Sequence, residues 1–465
     1  MTTHTGTASG VQPKEPGTPG TSGTPGTTVA GPRGVPVLGN LPQFGKDPLA
    51  FFEGLRARGD MVRWRFGPKP SLFLADPEHI GELMRETEGT FDQPELGIAF
   101  RTVMGNGVVV ARGQDWRRKR SLVQPSVRPK QVRSYAATMA ECAVELADQW
   151  SGGERIDIKR EMAVLTQRIA VRTIFGADIG ADAEAIGRAM DVAQREIGAE
   201  FSGIGALLPD WVPTLGRARI KRASAVIDAE VARVVAQHRQ GDGERPDLLS
   251  RLLTAQDETG ARLSDAEIRD ETVTLYIGGH ETTSSTLVWA WYLLAREPRV
   301  RQALTAELER VLGDREPGFE DYARLTYAQS VVKETLRLYP TIWLLTGVAR
   351  EGASIGGLPL VAGTRVWSSQ WATHRDPRWF PEPEEFRPER WNPDGGDEIP
   401  EYAWFPFGGG PRVCLGARFA MVEAVLVLAV LARRFDLDVD PGEIRPVPSL
   451  TLQPDREVLA TVRAR

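Results

Sequence analysis

The sequence contains little cysteine, since only Cys142 and Cys414 occur among its 465 residues. Two cysteines do not make a disulfide framework, and this favours a reducing, cytoplasmic setting. The sequence also lacks an excess of basic residues: 57 Lys and Arg stand against 62 Asp and Glu, a net charge of −5. A general attraction to nucleic acid or to an anionic membrane is therefore not expected.

Long hydrophobic runs are also absent. No window reaches the ~18 uninterrupted apolar residues that a spanning helix requires, and the longest candidate, 417–435, is interrupted by Arg418 and Glu423. The N-terminus has neither a basic nor an apolar segment, so we expect no signal peptide. Residues 1–30 are mostly Gly, Thr, Pro and Ser, and we expect this tail to be disordered because it cannot bury enough surface to repay ordering.

Helical periodicity dominates the rest of the chain, above all between residue 115 and about residue 310. Alternating segments at 61–66 and 71–75 predict a hairpin, and 447–463 suggests another. No change of composition divides the chain between residues 31 and 465. We therefore predict a mainly α protein with small β-sheets, built as a single domain over 31–465.

The run FPFGGGPRVCLG (405–416) places Cys414 between a glycine-rich, turn-prone loop and a strongly apolar helical pattern. Cys414 should therefore lie at the N-terminus of a buried helix, where free N–H groups and the helix dipole stabilise a thiolate. Such a thiolate can be a nucleophile, a redox centre or a metal ligand. The loop alone does not decide among the three.

The segment 269–295 begins and ends as a buried helix, but its centre is rich in Gly, Ser and Thr. Gly278 and Gly279 alone cost roughly 2 kcal/mol relative to alanine. Local rules that fail inside a strong element point to function. Small residues let a flat ligand approach the backbone, and Glu281 and Thr282 can accept and pass protons. The alternative is a loop between two helices.

Three further patterns are weak when each is taken alone. Glu334 and Arg337 share a helix face and can pair, although an ordinary surface ion pair explains them as well. Arg390, in a proline-stiffened segment, could reach a buried carboxylate. Trp116 and Arg120 are hydrogen-bond donors on one helix face and suit a ligand with carboxylates. The cations around them suggest a docking face for an acidic partner, or simply a solvated basic helix.

Taken together, these patterns resemble the motifs of the cytochrome P450 family. The matched motifs are F-x-x-G-x-R-x-C-x-G, [AG]-G-x-[DE]-T, E-x-x-R, P-E-R-[FW] and W-x-x-x-R. The matches fall at Phe407, Gly410, Arg412, Cys414 and Gly416, at 278–282, at Glu334 and Arg337, at 388–391, and at Trp116 and Arg120. They occur in the expected order, and separated motifs that converge on one cofactor imply one domain with the fold of that family.

The resemblance implies a haem b cofactor whose iron is ligated by the Cys414 thiolate, with O2 as cosubstrate. Trp116, Arg120 and Arg412 would bind the haem propionates, and Phe407 would shield the sulfur. The full set of implied cofactor-binding residues is Cys414, Trp116, Arg120, Arg412, Phe407, Gly278, Gly279 and Gly416.

Two further groups of roles follow from the resemblance. Thr282 and Glu281 would be catalytic and deliver protons, and a structural triad beneath the haem would consist of Glu334, Arg337 and Arg390. One position departs from the family pattern. Many members carry a propionate-binding arginine seven residues after the proline of the E-x-x-R helix, where this chain has Gly347, and Arg350 lies three residues later.

The function implied is a haem-dependent monooxygenase that inserts one atom of O2 into a hydrophobic small molecule, a terpenoid, polyketide or fatty-acid-like compound, in secondary metabolism. The residues expected to line the substrate pocket are Leu96, Ile98, Phe100, Ile204, Leu207, Trp211, Tyr276, Ile277, Ile342, Trp343, Leu344 and Leu450. Only 49 residues follow Gly416, so we expect no fused reductase. Electrons would come from a separate ferredoxin or flavodoxin with its reductase, docking on Arg117, Arg118, Lys119 and Arg128. We expect a monomer.

Three alternatives remain open. Some members of the family carry out oxidative coupling, dehydration or peroxygenation, but these often lose the helix threonine or acid, and Thr282 and Glu281 are both present here. A haem sensor or carrier seldom needs a proton-delivery threonine. A hydrolase with a cysteine nucleophile is the least supported, because no histidine lies in a comparable motif.

Overall fold

The structure is a computed structural model, which describes residues 28–85, 89–94, 97–176, 180–202, 211–240, 247–392 and 395–465. Its helices are α1 (Leu41–Lys46), α2 (Pro48–Arg56), α3 (Pro77–Arg85), α4 (Ile98–Met104), α5 (Gly113–Val123), α6 (Pro129–Ala147), α7 (Ile158–Phe175), α8 (Gly180–Ser202), α9 (Leu215–Gln240), α10 (Leu248–Thr254), α11 (Asp265–Arg296), α12 (Pro298–Leu312), α13 (Thr326–Leu338), α14 (Gln370–Thr373) and α15 (Ala417–Arg434). Its strands are β1 (Val29–Ala30), β2 (Met61–Phe66), β3 (Lys69–Leu74), β4 (Phe91–Asp92), β5 (Arg155–Asp157), β6 (Leu345–Ala349), β7 (Ser354–Ile355), β8 (Leu358–Pro359), β9 (Arg365–Ser368), β10 (Phe435–Val439), β11 (Pro446–Pro448), β12 (Leu452–Pro454) and β13 (Leu459–Ala464). This confirms the predicted mainly α class with small β-sheets.

The largest sheet has the strand order β1-β2-β3-β9-β6-β4. Its strands β2 and β3 pair antiparallel, which confirms the hairpin predicted from their alternating pattern. Strand β1 lies parallel to β2, with Val29 opposite Val62. Val29 and Ala30, predicted within the disordered tail, therefore belong to this sheet, and residues 1–27 of that tail lie outside the described residues.

The hairpin predicted over 447–463 is only partly correct. Strands β11 and β12 do pair antiparallel, with Val447 opposite Gln453. Strand β13, however, pairs with β10 on one side and with β5 on the other. An alternating pattern identifies a strand with one buried face but carries no information about which neighbour supplies its hydrogen bonds.

Helix α11 runs unbroken for 32 residues through its Gly-, Ser- and Thr-rich centre, so the alternative of a loop between two helices is wrong. Ser264 caps the N-terminus and forms a capping box with Glu267. The helix packs against α7, α13 and α15, and its C-terminal half is buried. This packing compensates for the low helix propensity of the two central glycines.

Helix α15 supplies the centre of the main hydrophobic core, and all of its residues from 421 to 432 are buried. It packs against α6, α11, α12 and α13, which explains its nearly uniform apolar sequence. None of the helices in the described part of the chain combines the length and the hydrophobicity that crossing a bilayer requires.

Candidate active site

The loop before α15 is shaped by glycines. Gly408 and Gly410 have φ angles of +70° and +59°, a region that residues with a Cβ rarely adopt. A Cβ on Gly410 would also lie 2.2 Å from the carbonyl oxygen of Met84 at the end of α3. The loop closes with a hydrogen bond of 2.9 Å from the N–H of Cys414 to the carbonyl of Phe407. Glycine thus provides both the turn and the close approach to α3.

Cys414 lies just before α15, whose N-cap is Gly416. Burial raises the pKa of the Cys414 thiol, although the N–H of Gly416 and the charge of Arg120 lower it. The helix N-terminus alone therefore does not produce the stabilised thiolate expected from the sequence. The side chain nevertheless keeps exposed surface. A side chain that is enclosed by protein and still keeps exposed surface lies next to an interior space.

This environment suits a metal ligand better than a free nucleophile. A thiol whose pKa is raised by burial carries little thiolate at neutral pH and reacts poorly. A bound cation removes this obstacle, because coordination deprotonates the thiol outright. The sulfur of Cys414 therefore fits the thiolate ligand of a haem iron.

A cluster of donors joins α5 to the cysteine loop. The guanidinium of Arg412 lies 4.2 Å from the centre of the Trp116 ring and donates to the carbonyl of Ala111 at 3.1 Å. Arg120 donates to the carbonyl of Val413 at 2.8 Å. The structure thus brings together the three side chains that the sequence predicted to bind carboxylates, next to Cys414.

The centre of α11 borders open space. A Cβ on Gly278 or on Gly279 would meet no atom within 4 Å outside the adjoining backbone of α11, and Gly278 is exposed even though the flanks of the helix are buried. The hydroxyl of Thr282 donates to the carbonyl of Gly278 at 2.6 Å. Since α11 packs on α15, this open stretch and the exposed Cys414 fit a flat cofactor held between the helix and the cysteine loop.

Glu281 lies on α11 beside these glycines. Burial raises the pKa of its carboxyl group, and hydrogen bonds from Thr451 and Gln453 partly offset this rise. The Thr451 hydroxyl donates to Oε1 of Glu281 at 2.6 Å. Neither partner was predictable from the local sequence, because 170 residues separate Thr451 from Glu281.

Glu334 is the centre of a second, fully buried polar group. Arg337 donates to it twice, at 2.9 and 2.8 Å, and Arg390 donates at 3.0 Å. The indole of Trp391 and the backbone N–H of Arg387 add bonds of 2.9 and 3.1 Å. The side chains of Glu334 and Arg337 have no exposed surface, so the alternative of an ordinary surface ion pair is wrong.

The two arginines tie several segments to α13. Arg337 donates to the carbonyls of His374, Pro383 and Glu385. Arg390 is paired with Asp397 at 2.6 Å. Asp397 was not predicted from the sequence, because nothing in the residues around it distinguishes it from other acidic loop residues.

The predicted pocket residues divide into several groups. Half-buried side chains with some exposed surface are Ile98, Ile342, Leu344 and Leu450. Buried side chains of the hydrophobic clusters are Phe100, Tyr276, Ile277 and Trp343. Leu96, Ile204 and Leu207 lie outside the described residues. Trp211 is 82% exposed, so it does not line an interior pocket.

Tyr276 and Trp343 are enclosed by their neighbours. Tyr276 has no exposed surface, and its ring lies 5.8 Å from that of His280, whose Nε2 contacts the carbonyl of Ala163 on α7. The indole of Trp343 donates to the carbonyl of Ser449 at 2.9 Å. Both residues are apolar enough for a pocket, and their place in it stays a prediction.

Two of the four cations assigned to the docking face do not serve it. Lys119 is only 2% exposed and donates to the carbonyl of Asn106. Arg118 is held by Asp257 at 3.1 Å and by Glu267 at 2.6 Å. Arg117 and Arg128 are exposed. A run of consecutive basic residues does not show which of them a helix turns inward, because residues three and four apart share one face.

Gly347, which stands where the family pattern has an arginine, has no room for a side chain. Gly347 is buried in β6, where a Cβ would lie 2.9 Å from a methyl group of Leu83. Arg350 forms an ion pair with Asp92 at 2.5 Å. The structure therefore gives no support to a propionate contact from Arg350.

Glu423 is a buried acid that the sequence analysis noted only as an interruption of an apolar run. It is 1% exposed on α15, and burial raises its pKa well above the ordinary range, with Thr283 of α11 facing it. A single carboxyl group in an otherwise apolar helix was the signal that could have identified it.

Comparison with known proteins agrees with this site. The family model for "Cytochrome P450" matches residues 29–459. Cyclooctatin synthase of Streptomyces melanosporofaciens is 37% identical over 91% of this chain and 93% of its own length. Cyclooctat-9-en-7-ol 5-monooxygenase of the same organism is 34% identical, over 91% of each chain. Pentalenene oxygenase of Streptomyces avermitilis is 30% identical over 94% of this chain and 98% of its own length.

The match covers the cysteine loop, the open stretch of α11 and the buried centre at Glu334 alike. A haem-thiolate cofactor, the use of O2, a hydrophobic substrate and a redox partner all follow from it. The chain belongs to the cytochrome P450 family and is a haem-dependent monooxygenase.

Proposed function

We propose that this chain is a haem b enzyme that hydroxylates a terpenoid-like hydrocarbon in secondary metabolism, and that the single domain over 31–465 holds the whole site. One observation carries the proposal: Cys414 keeps exposed surface although burial raises the pKa of its thiol, and the centre of α11 leaves open space at Gly278. When bound, the haem supplies the binding and activation of O2.

The residues of the chain then have distinct tasks. Cys414 ligates the iron. Arg412 and Arg120, whose guanidinium groups lie beside the cysteine loop, bind the propionates together with Trp116. Glu281 and Thr282 move protons, and their retention favours hydroxylation over coupling, dehydration, peroxygenation or a carrier function.

The role of Cys414 is tested by Cys414→Ala. This variant should lose the red-shifted Soret band of the reduced carbonyl complex, while far-UV circular dichroism stays that of the parent. Cys142→Ala is the matched control, because Cys142 is buried in the core and away from the cysteine loop in sequence; it should keep the band. Survival of the band in Cys414→Ala would refute the assignment of Cys414 as the iron ligand.

The substrate class rests on the apolar, half-buried side chains Ile98, Leu344 and Leu450 and on the relatives that are named for cyclooctat-9-en-7-ol and pentalenene. Terpenoid hydrocarbons should produce a saturable type I spectral shift, and fatty acids or polyketides should bind more weakly. Leu450→Ala should weaken binding by up to about 50-fold, because it removes three carbon groups that each contribute ~0.8 kcal/mol when buried.

A matched control for this titration is Val361→Ala, since Val361 is 75% exposed and should leave the dissociation constant unchanged. Equal affinities in the Leu450 and Val361 variants would remove Leu450 from the pocket. A shift only with fatty acids would replace the terpenoid class.

We also propose that a ferredoxin or flavodoxin docks on Arg117 and Arg128. Arg117 lies on α5. Arg120 and Trp116 of the same helix contact the cysteine loop, so an electron carrier docked on α5 would be close to Cys414. Charge reversal at both sites should slow reduction at low salt and lower the salt dependence. The exposed Arg222 of α9, which packs on α8 and α4, provides the control Arg222→Glu. Equal reduction rates in all variants would count against this face.

A monomer in the cytoplasm completes the proposal. The location rests on the free cysteines Cys142 and Cys414, which suit a reducing compartment. Sedimentation of the holoenzyme at a mass of one chain would support the monomer.

A further inference from the structure

The carboxyl group of Glu281 is held by two neutral side chains from the hairpin of β11 and β12. The Thr451 hydroxyl donates to Oε1 of Glu281 at 2.6 Å. The amide of Gln453 donates to the Thr451 oxygen at 2.7 Å and reaches Oε1 of Glu281 at 3.4 Å. Since a hydroxyl has one hydrogen, accepting from Gln453 and donating to Glu281 fixes its direction.

The hairpin is attached to α11 along one face of the helix. Glu281, Ser285 and Trp289 are spaced by four residues and therefore lie in one row. The carbonyl of Leu452 accepts from Ser285 at 2.8 Å and from Trp289 at 3.0 Å. The backbone N–H of Leu452 donates to the carbonyl of Thr341 at 2.9 Å.

These bonds leave the hairpin little freedom relative to α11. Thr451 directly precedes β12 and Gln453 lies within it, so the two residues flank Leu452, and both side chains reach Glu281. Leu452 has no exposed surface, which further holds the backbone between the two polar residues. The hydrogen bonds from Thr451 and Gln453 to Glu281 are called the clamp below. The positions of these two residues are thus set by packing and main-chain bonds rather than by the clamp itself.

The two oxygens of Glu281 have different environments. Oε1 accepts both bonds from the hairpin, whereas Oε2 is buried and has no hydrogen-bond partner among the described residues. A buried carboxyl oxygen without a partner carries a free-energy cost. The cost is tolerated at sites where such an oxygen has a use.

We propose that Thr451 and Gln453 are positioning residues that hold the carboxyl group of Glu281 in one orientation, with Oε1 anchored on the hairpin and Oε2 left for proton exchange. The inference rests on the proposed proton-transfer role of Glu281. It goes beyond that role because it assigns the control of the acid to the β11–β12 hairpin.

Other titratable groups around the acid do not replace the clamp. Lys159 of α7 lowers the pKa of Glu281 by its charge, but this effect is weaker than either hairpin bond. Burial lowers the pKa of the neighbouring His280 to about 4, so this ring stays neutral near pH 7. Glu423 on α15 faces Thr283, and burial raises its pKa well above the ordinary range.

The test is a pH titration of the ferric holoenzyme by infrared difference spectroscopy. The carboxyl band of Glu281 is identified as the band that Glu281→Gln removes. A donor to the carboxylate stabilises its charged form, so Thr451→Val should raise the apparent pKa by about one unit. Gln453→Leu should shift it in the same direction by less.

The matched control is Thr451→Ser, which keeps the hydroxyl. Its apparent pKa should lie within about 0.3 unit of that of the parent, compared with the shift of about one unit expected when the hydrogen bond to the carboxylate is lost. A structural role alone would not separate the serine from the valine variant. No shift in Thr451→Val, or equal shifts in valine and serine, overturns the proposal. If Thr451→Val does not fold, Gln453→Leu carries the test, and an unshifted band there overturns it.

Turnover provides an independent readout. The alkaline limb of coupled product formation should move to higher pH in Thr451→Val by the same amount as the infrared band, while Thr451→Ser follows the parent. An infrared shift without a change of the turnover profile would refute the proton-transfer role of Glu281 but keep the clamp. An unshifted band with normal turnover would refute the clamp alone.

Discussion

Removal of the charge of Glu334 should destabilise the protein far more than removal of a surface charge. Five N–H groups converge on this carboxylate, from Arg337 (twice), Arg390, Trp391 and the backbone of Arg387. Oε1 accepts three of these bonds and Oε2 accepts two. In Glu334→Gln the amide has one acceptor oxygen, so its NH2 group must face at least two donors.

The magnitude follows from this geometry. The variant leaves Arg337 and Arg390 buried, with Asp397 as the remaining carboxylate that pairs with Arg390. Removal of one partner from a buried ion pair costs about 3–5 kcal/mol. The matched control is Glu320→Gln, since Glu320 and its partner Arg133 are 71% and 64% exposed, and an exposed pair contributes up to about 1 kcal/mol.

The assay is equilibrium unfolding of the holoenzyme in urea, followed by far-UV circular dichroism and by the Soret band. Glu334→Gln should lower the midpoint strongly with an unchanged slope, and Glu320→Gln should leave it close to that of the parent. If both variants unfold within about 1 kcal/mol of each other, the reasoning that Glu334 balances two buried arginines is refuted.

Three further predictions concern α11. Gly278→Ala adds a methyl group that meets no atom within 4 Å and improves helix propensity by ~1 kcal/mol, so it should raise the urea midpoint yet weaken type I substrate binding; a lower midpoint would contradict the open space. Thr282→Ala should retain haem but consume more O2 per product, as measured with an oxygen electrode and product analysis; full coupling would contradict its role. Burial raises the pKa of Glu271 to about 7 from its ordinary value of 4.5, so the folded state keeps a proton that the unfolded state loses. The free energy of unfolding of the parent should therefore decrease as the pH rises from about 4.5 to about 7. Glu271→Gln should flatten this pH dependence in urea titrations; an unchanged dependence would contradict the assignment.

The local parts of the site were readable from the sequence. The turn before Cys414 was predictable because glycines with positive φ and a following apolar helix are features of neighbouring residues. The same holds for the helical start of α11, for the hairpin of β2 and β3, and for the shared face of Glu334 and Arg337. In each case the determinants lie within one or two turns of chain.

The remaining errors concern which neighbour covers a given side chain. Lys119 lies in a run of cations, yet it turns inward to Asn106. Tyr276 has the apolar character of a pocket residue, yet it has no exposed surface. Periodicity shows that one face of an element is buried, but burial is decided by elements that are distant in the chain.

By itself, the sequence determined the chemistry available to this protein: a thiolate ligand in a glycine loop, a helix with small residues at its centre, a hydroxyl and an acid beside them, and the arginines that surround Glu334. Only the tertiary structure decided how that chemistry is controlled. Thr451 and Gln453 meet Glu281 across about 170 residues, and no local pattern encodes that contact. It arises because Leu452 binds Ser285 and Trp289 through its carbonyl, which brings two ordinary polar residues to the acid.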